Sequence, residues 1–306
     1  MKRLIINALA SLIAIIATSV CSFAQVKQYS NDLSAFNTLE VSGSFEITMV
    51  YGAAYNVLFS VDEVLESYVI CNISKQVLTI GIDEKRIPKE VKALYKGKNS
   101  IVPTYKATIT VPVRPQKVTL SDKVVYYDNI NELSASGFEL SATDQASVKT
   151  LNVSAPSVKL DADKKATIAA TICSDDATLY LKAGSNMSVT FKETKNVNAS
   201  LWHSSNLVTY GDVETLAVDA RGTSKAIMNG SAIAAAFDLQ GSANVNAGNL
   251  PVEEATVTMN SLCSLVTNVG KTLDVQSLKG GATLNFAGEP EIKIGSIEKS
   301  TMTRTK

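Results

Sequence analysis

Side chains that perform nucleophilic or acid–base catalysis are few in this chain of 306 residues. A histidine base would have to be His203, the single histidine, which lies in the stretch SLWHSSN. A hydrolase with a nucleophile elbow also needs a Gly-x-Ser-x-Gly turn, and no serine in the sequence has one. The residue types therefore disfavour a histidine-dependent hydrolase.

Metal ligands lack the spacing that a binding site requires. Cysteine and histidine are too few and too scattered for a zinc site. The single Gly-Gly pair, in KGGATLNF, lacks the aspartates of calcium-binding solenoid repeats. We expect neither a metal ion nor any other cofactor.

A polysaccharide lyase or hydrolase is the strongest catalytic alternative, because it needs only acidic and basic side chains in a cleft. Asp219 and the nearby Arg221 are a candidate pair. On a repetitive β-structure such pairs are more often outward, solvated residues. A non-enzymatic protein is therefore expected.

Two aromatic residues are candidates for ligand binding. Alternate apolar residues up to Leu201 should point inward, so the side chain of Trp202 should point outward. Leu179 and Leu181 should also point inward, so the side chain of Tyr180 between them should point outward. Tyr180 and Trp202 are 22 residues apart, about one repeat, so we expect them on neighbouring strands of one face. An exposed aromatic pair suits the apolar face of a sugar ring, and a covering loop is the alternative.

One segment of the chain is locally basic. Between Glu84 and Lys98 it has six basic residues against two acidic ones. The six are Lys85, Arg86, Lys89, Lys92, Lys96 and Lys98. Such a patch could contact acidic glycans or lipid head groups, although charged helices are usually only solvated.

The elements that must position these residues form a repeat. From about residue 131, apolar pairs recur about every ten or twenty residues between small polar residues, as in LNVSAPSVKLDA, LYLKAGSNMSVTF and FDLQGSANVNAG. So short a strand cannot form a core alone, but stacked coils bury a continuous apolar column. The pattern predicts a parallel β-helix, or solenoid, over 131–306, with about eight coils of about 20 residues. An antiparallel β-sandwich is the alternative.

The preceding segment, 25–130, alternates apolar and polar residues in runs such as FEITMVY and YNVLFSV. Such runs predict antiparallel strands joined by short loops. Pro88, a following i, i+3, i+4 apolar set and Gly97 predict one short charged helix near 88–96. The expected fold is therefore all-β, with N-terminal antiparallel strands and a solenoid-like repeat region continuous in one domain.

Residues 1–24 have the plan of a secretory signal peptide, with Lys2 and Arg3 at its start and small residues before the cleavage site. Val20 is bulkier than lipoprotein processing usually accepts, so lipidation of Cys21 is disfavoured. Cleavage leaves 27 basic and 29 acidic residues, a net charge of about −2, which removes the electrostatic basis for nucleic-acid binding. We expect an exported protein without a transmembrane segment, located at the cell surface, on the outer membrane, in the periplasm or outside the cell.

Three cysteines remain after cleavage, namely Cys71, Cys173 and Cys263. Each lies in an apolar run, where cysteine behaves as a small buried hydrophobe. Coils of about 20 residues stacked about 4.8 Å apart would place Cys173 and Cys263 about 20 Å from each other, too far for a disulfide. We expect no disulfide.

Two stretches resemble a known family. FNTLEVSGSFEITMVYGAAYNVLFSVDEVLESYVICNISKQVLTIGID and ATLNFAGEPEIKIGSIEKST are similar to the opening and closing strands of the putative auto-transporter adhesin, head GIN domain family of Bacteroidetes-type bacteria. The chain departs from the family at Ala53 and Ala54, where an acidic residue often follows the glycine, and in its longer charged insertion at 84–98. The resemblance implies the fold and export, and no catalytic motif.

These observations predict an exported, adhesin-like binding module that presents a long repetitive face to a glycan or to a host or matrix protein. The alternatives are a carbohydrate-active lyase or hydrolase on a β-helix and a structural scaffold of the cell envelope. A cleft with converging carboxylates and basic residues would favour the enzyme. A broad aromatic or polar face would favour the binding module, and a uniformly small-residue surface the scaffold. The oligomeric state is left open.

Overall fold

The computed structural model describes residues 25–96, 102–130, 134 and 136–305. The predicted signal peptide at 1–24 and Lys98 of the basic segment lie outside the described residues. Within the described part, no helix is long and apolar enough to cross a membrane.

The described chain is almost entirely β-structure. One 3-10 helix spans Glu63–Tyr68 and one α-helix, α1, spans Lys89–Leu94, inside the predicted 88–96. The first thirteen strands are β1 Val26–Asp32, β2 Thr38–Val41, β3 Glu46–Tyr51, β4 Asn56–Asp62, β5 Val69–Ser74, β6 Val77–Ile82, β7 Tyr105–Val111, β8 Lys117–Leu120, β9 Val125–Asp128, β10 Phe138–Ala142, β11 Ser147–Thr150, β12 Asn152–Ser154 and β13 Ser157–Ala162. The remaining strands are β14 Thr167–Cys173, β15 Asp176–Leu181, β16 Asn186–Phe191, β17 Asn196–Leu201, β18 Asn206–Tyr210, β19 Val213–Gly222, β20 Lys225–Asn229, β21 Ala232–Gly241, β22 Asn244–Asn260, β23 Ser264–Lys279, β24 Thr283–Ala287, β25 Glu291–Glu298 and β26 Thr301–Arg304.

The strands form a parallel β-solenoid of about ten turns, which confirms the predicted fold class. Each coil contributes one strand to each of two faces. Face A contains, in spatial order, β5, β6, β2, β8, β10, β13, β15, β17, β19, β21, the second halves of β22 and β23, and β25. Face B contains β1, β4, β7, β3, β9, β11 with β12, β14, β16, β18, β20, the first halves of β22 and β23, β24 and β26.

The N-terminal strands divide between the solenoid and its cap. The predicted antiparallel pairing occurs between β1 and β4, β4 and β7, and β5 and β6. Strands β2 and β3, however, pair in parallel with β8 and β9, so the solenoid begins well before residue 131. The antiparallel strands extend both faces at this end, where a repeat protein needs a cap because no further coil follows.

Alternating burial along each strand produces the core. Inward residues of successive coils align in register, so that each apolar side chain packs on its counterparts in the coils before and after it. One column of face A is Leu160, Leu179, Ala199, Val218, Phe237, Val257 and Val275. All seven are at most 2% exposed.

The corner from face A to face B repeats one backbone conformation. Asp144, Lys164, His203, Gly222 and Gly241 all have positive φ values there, between 58° and 83°. Asp and Gly adopt this region at low cost, which explains why small polar residues separate the strands. His203 is therefore a corner residue, and its carbonyl accepts a hydrogen bond from the amide of the next coil's corner.

In eight coils, from β11 to β24, the residue just before the face-B strand is small and buried. These positions are Ala146, Ala166, Ser185, Ser205, Ser224, Ala243, Cys263 and Ala282, each at most 1% exposed. Cys263 is thus one member of a column of small side chains. Cys71 and Cys173 are partly buried, and all three thiols are free.

Candidate functional site

Three of the outward columns of side chains on face A lie side by side, toward its corner with face B. The first column contains Glu139, Lys159, Thr178, Asn198, Ala217, Ala236, Thr256 and Asp274. The middle column contains Ser141, Asp161, Tyr180, Ser200, Asp219, Asp238, Thr258 and Ser277. The third column, at the corner, contains Trp202, Arg221, Gln240, Asn260 and Lys279.

The structure places both predicted aromatic residues on face A, in adjacent coils. Tyr180 on β15 is in register with Ser200 on β17. Trp202 lies two residues after Ser200, just beyond the end of β17. The two aromatic residues are therefore diagonal rather than direct neighbours. Trp202 is 41% exposed and Tyr180 is half-buried. Their role in ligand binding stays a prediction.

A cation from a neighbouring coil lies over each ring. The Lys159 Nζ is 5.9 Å from the centroid of the Tyr180 ring. The Arg221 Cζ is 5.4 Å from the centroid of the Trp202 ring. These are cation–π distances, and they fix each ring against the face while leaving Trp202 accessible to solvent.

A shallow groove of about 310 Å³ runs along face A beside these aromatic residues. Its floor is formed by Ala217 and Ala236, the two smallest side chains of the first column. Longer polar side chains surround this floor and leave a depression over the alanines. They are Asn198, Ser200, Asp219, Asp238, Thr256, Thr258 and Gln276.

Arg221 organises the charges at the rim of this groove. Its Nε donates to the Asp219 Oδ1 at 2.8 Å, and its Nη2 lies 4.0 Å from the Asp238 Oδ2. Its Nη1 donates to the Gln240 Oε1 at 3.4 Å. The hydrogen bond to Asp219 raises the pKa of Arg221 further, so the guanidinium stays charged. The rim therefore offers carboxylate and amide acceptors on an open, solvated face.

A second depression, of about 460 Å³, lies on face A toward the N-terminal end. Three charged residues from successive coils cross it. The Glu139 carboxylate accepts a hydrogen bond from the Lys159 Nζ at 3.0 Å and lies 3.7 Å from the Lys117 Nζ. The bond from Lys159 lowers the pKa of Glu139. Tyr180 lies between this depression and the groove, so polar surface continues along face A.

The basic segment is several coils away from the aromatic residues. Lys85 and Arg86 follow β6, Lys89 and Lys92 lie on α1, and Lys96 follows the helix. The structure therefore does not bring this segment together with Tyr180 and Trp202 in one site. In the described part of the chain, no group of three or more His, Cys, Asp or Glu residues could hold a metal ion.

The sequence reasoning missed the groove, including Asp238 and the two alanines. A signal for it was present, since Ala217-Val218-Asp219 and Ala236-Phe237-Asp238 repeat the same pattern 19 residues apart. That interval matches the register observed between β19 and β21. Outward alanines one coil apart therefore predict a depression once the coil length is known.

Comparison with known proteins finds one matching family model and several similar solved structures. The family model described as putative auto-transporter adhesin, head GIN domain, matches residues 35–186 and 177–290. No curated protein shows a significant match. Among solved structures, a putative adhesin from Parabacteroides distasonis ATCC 8503 is 13% identical, with a TM-score of 0.48 and 92% of this chain and 98% of that chain covered.

Two further solved structures are similar to the chain. A putative adhesin from Parabacteroides merdae ATCC 43184 is 15% identical, with a TM-score of 0.45 and coverage of 92% of this chain and 97% of that chain. A protein from Parabacteroides distasonis ATCC 8503 described as a putative lipid binding protein is 13% identical, with a TM-score of 0.44 and the same coverage.

Proposed function

The chain belongs to the putative auto-transporter adhesin, head GIN domain family, and on that premise we propose that it is an exported, non-enzymatic binding module that holds a glycan on face A. The groove over Ala217 and Ala236 carries this proposal, with Trp202 near it in the third column. A sugar presents hydroxyl groups and an apolar ring face. Asp238, Asn198 and Gln276 can accept or donate to hydroxyls, and Trp202 can stack on the ring.

The solenoid supports this role because it repeats its outward columns at a fixed interval. Polar side chains continue along face A from Lys117 on β8 to Gln276 on β23. A linear oligosaccharide could therefore contact several coils at once, as extended ligands do on other repeat proteins.

The arrangement of the carboxylates favours binding over glycoside hydrolysis. A glycosidase places two carboxyl groups on either side of the scissile bond. Asp219 and Asp238 instead lie side by side on adjacent strands of one face. Asp219 is also held by Arg221 at 2.8 Å. These features support a module that retains a glycan without cleaving it.

The proposal is tested by measuring the retention of the chain from Gln25 onward on a glycan array and a panel of matrix proteins. Trp202→Ala should weaken binding of a retained glycan about tenfold, the effect of losing one well-packed aromatic contact. Tyr210→Ala is the matched control, because Tyr210 is 48% exposed but lies on face B. Far-UV circular dichroism checks that both variants fold.

A second pair of variants compares filling the groove with the same change on face B, and neither variant alters the core. Ala236→Gln places a longer side chain on the groove floor and should abolish binding, whereas Ala169→Gln makes the same change at an outward position of face B. Equal losses in both members of either pair would contradict the assignment to face A. Retention by matrix proteins but by no glycan would refute the proposal that the ligand is a glycan. Release of shortened glycan products would refute the non-enzymatic role.

A further inference from the structure

A separate cavity of about 360 Å³ lies beneath the charged insertion, at the N-terminal end of the solenoid. Its apolar wall consists of Leu65, Ile87, Pro103 and the ring of Tyr105. This volume lies within the range of pockets that hold small molecules. The cavity is remote from the groove on face A, and nothing in the proposed function requires it.

The helix that covers the cavity is fixed to the sheet by specific contacts. The Tyr95 hydroxyl donates to the Asp62 Oδ2 at 3.0 Å, and the Thr104 amide donates to the same oxygen at 3.3 Å. Asp62 is only 3% exposed and Ile87 only 7% exposed. The end of the helix is therefore held to the sheet by a buried polar anchor beside the cavity.

The rim of the cavity is cationic. Lys92 on α1 and Lys96, two residues beyond the end of the helix, contribute to its lining. Neither ammonium lies within salt-bridge distance of a carboxylate among the described residues. Lys85, Arg86 and Lys89 add to the local positive charge, and Glu84 is the acidic residue of the described lining.

The tyrosines at the cavity are neutral hydrogen-bonding groups. Burial is the largest cause that raises the pKa of Tyr105 to about 12, with smaller contributions from the carboxylates of Glu84 and Asp62. Burial and the bond to Asp62 raise the pKa of Tyr95 as well. Because the phenols are uncharged, the charge of the lining is set by Lys92 and Lys96 against Glu84, and it is net positive.

We propose that this cavity binds an organic carboxylate with an apolar body, whose anionic group pairs with Lys92 and Lys96 while the body lies against Leu65, Ile87 and Pro103. A bare inorganic anion would gain nothing from that apolar wall. A neutral apolar molecule would gain nothing from the two ammonium groups. The cavity therefore selects a ligand that combines both features.

The test is isothermal titration of the chain from Gln25 onward with hexanoate, octanoate and decanoate below their micellar concentrations, with phenylpropionate as the aromatic member. Each added methylene that enters the cavity should tighten binding about fourfold, the effect expected from its burial. Octanol and inorganic phosphate should each bind at least about tenfold more weakly than octanoate, because each lacks one of the two features. Tighter binding of phenylpropionate than of octanoate would identify an aromatic body within the same class.

Lys92→Met keeps most of the apolar stem and removes the charge, so it should weaken octanoate about tenfold. Lys89→Met is the matched control on the same helix, since Lys89 does not line the cavity. Lys96→Met removes the other ammonium group from outside the helix. It should weaken octanoate binding by a similar factor, which keeps the test valid if Lys92→Met disturbs the helix. Equal affinity for octanol and octanoate, equal effects of the Lys89 and Lys92 variants, or no binding at millimolar octanoate would overturn the proposal. Trp202→Ala should leave octanoate binding unchanged, which separates this result from the glycan test.

Discussion

Asp128→Asn should lower the urea concentration at which the chain unfolds, because it removes one charge from a buried ion pair. The Asp128 Oδ2 accepts from the Arg114 Nη1 at 3.0 Å and from the Tyr126 hydroxyl at 3.2 Å. Its Oδ1 accepts from the Ile130 amide at 3.0 Å. The side chains of Asp128 and Arg114 are 1% and 3% exposed. The neutral variant would leave the guanidinium buried without its counter-ion.

The position of Arg114 makes this pair important for the start of the solenoid. Its Nη2 donates to the carbonyl of Ile130 and, at 2.7 Å, to the carbonyl of Asn152 on β12. One side chain therefore connects β9 to the next coil. Breaking a buried ion pair by removing one partner costs about 3–5 kcal/mol. With a denaturant slope of about 3 kcal/mol/M, the urea midpoint should fall by about 1–2 M.

The assay compares two probes and one control. Far-UV circular dichroism reports all strands, and the fluorescence of Trp202, the single tryptophan, reports the middle of the solenoid. Asp175→Asn is the control, since the ion pair of Asp175 with Lys195 is short at 2.6 Å but more than half exposed. Exposed pairs contribute at most about 1 kcal/mol. If Asp128→Asn shifts the midpoint no more than Asp175→Asn does, the argument from burial is wrong.

Two further predictions concern the corners. Gly230→Ala should cost about 3 kcal/mol or more, because φ is +126° and an added Cβ would lie 1.9 Å from the carbonyl oxygen of Gly211 in the preceding coil. Gly270→Ala is the control, because its Cβ would meet only a carbonyl oxygen at 3.7 Å. It should change the free energy of unfolding by no more than about 1 kcal/mol. Similar thermal midpoints for the two variants would contradict the argument from backbone conformation. Ser205→Ala should leave stability unchanged or raise it by about 1 kcal/mol, since the fully buried hydroxyl has no hydrogen-bond partner among the described residues. A loss of more than about 1 kcal/mol in urea unfolding would indicate a hydrogen bond that the structure does not contain.

The basic segment illustrates a feature that sequence could locate but not interpret. The excess of lysine and the helical spacing near 88–96 predict a charged helix, and α1 lies there. Whether such a helix is merely solvated depends on what packs beneath it. The contact of Tyr95 with Asp62, 33 residues earlier, holds the end of the helix against the sheet beside the cavity, and no local pattern encodes that contact.

The positions of Tyr180 and Trp202 were likewise predicted in part by the sequence and decided in part by the fold. Parity along each strand correctly predicts that Trp202 is outside, because side chains alternate across a strand. The diagonal offset from Tyr180 and the cover by Arg221 depend on the register between coils. Register follows from the length of every corner, which the sequence pattern gives only approximately.

The sequence by itself favoured the solenoid over the β-sandwich, since short apolar pairs that recur with small corner residues between them bury a continuous column when coils stack. It also indicated where the corners lie, because Gly and Asp adopt positive φ values at low cost; Lys164 and His203 show that other residues take the same conformation once the fold imposes it. Only the tertiary structure decided that the N-terminal strands enter the solenoid. Leu39 on β2 packs between Leu78 and Val118, and pairing over 39 and 79 residues is set by the whole fold rather than by any local pattern. The same non-local register aligned Ala217 with Ala236 and formed the groove.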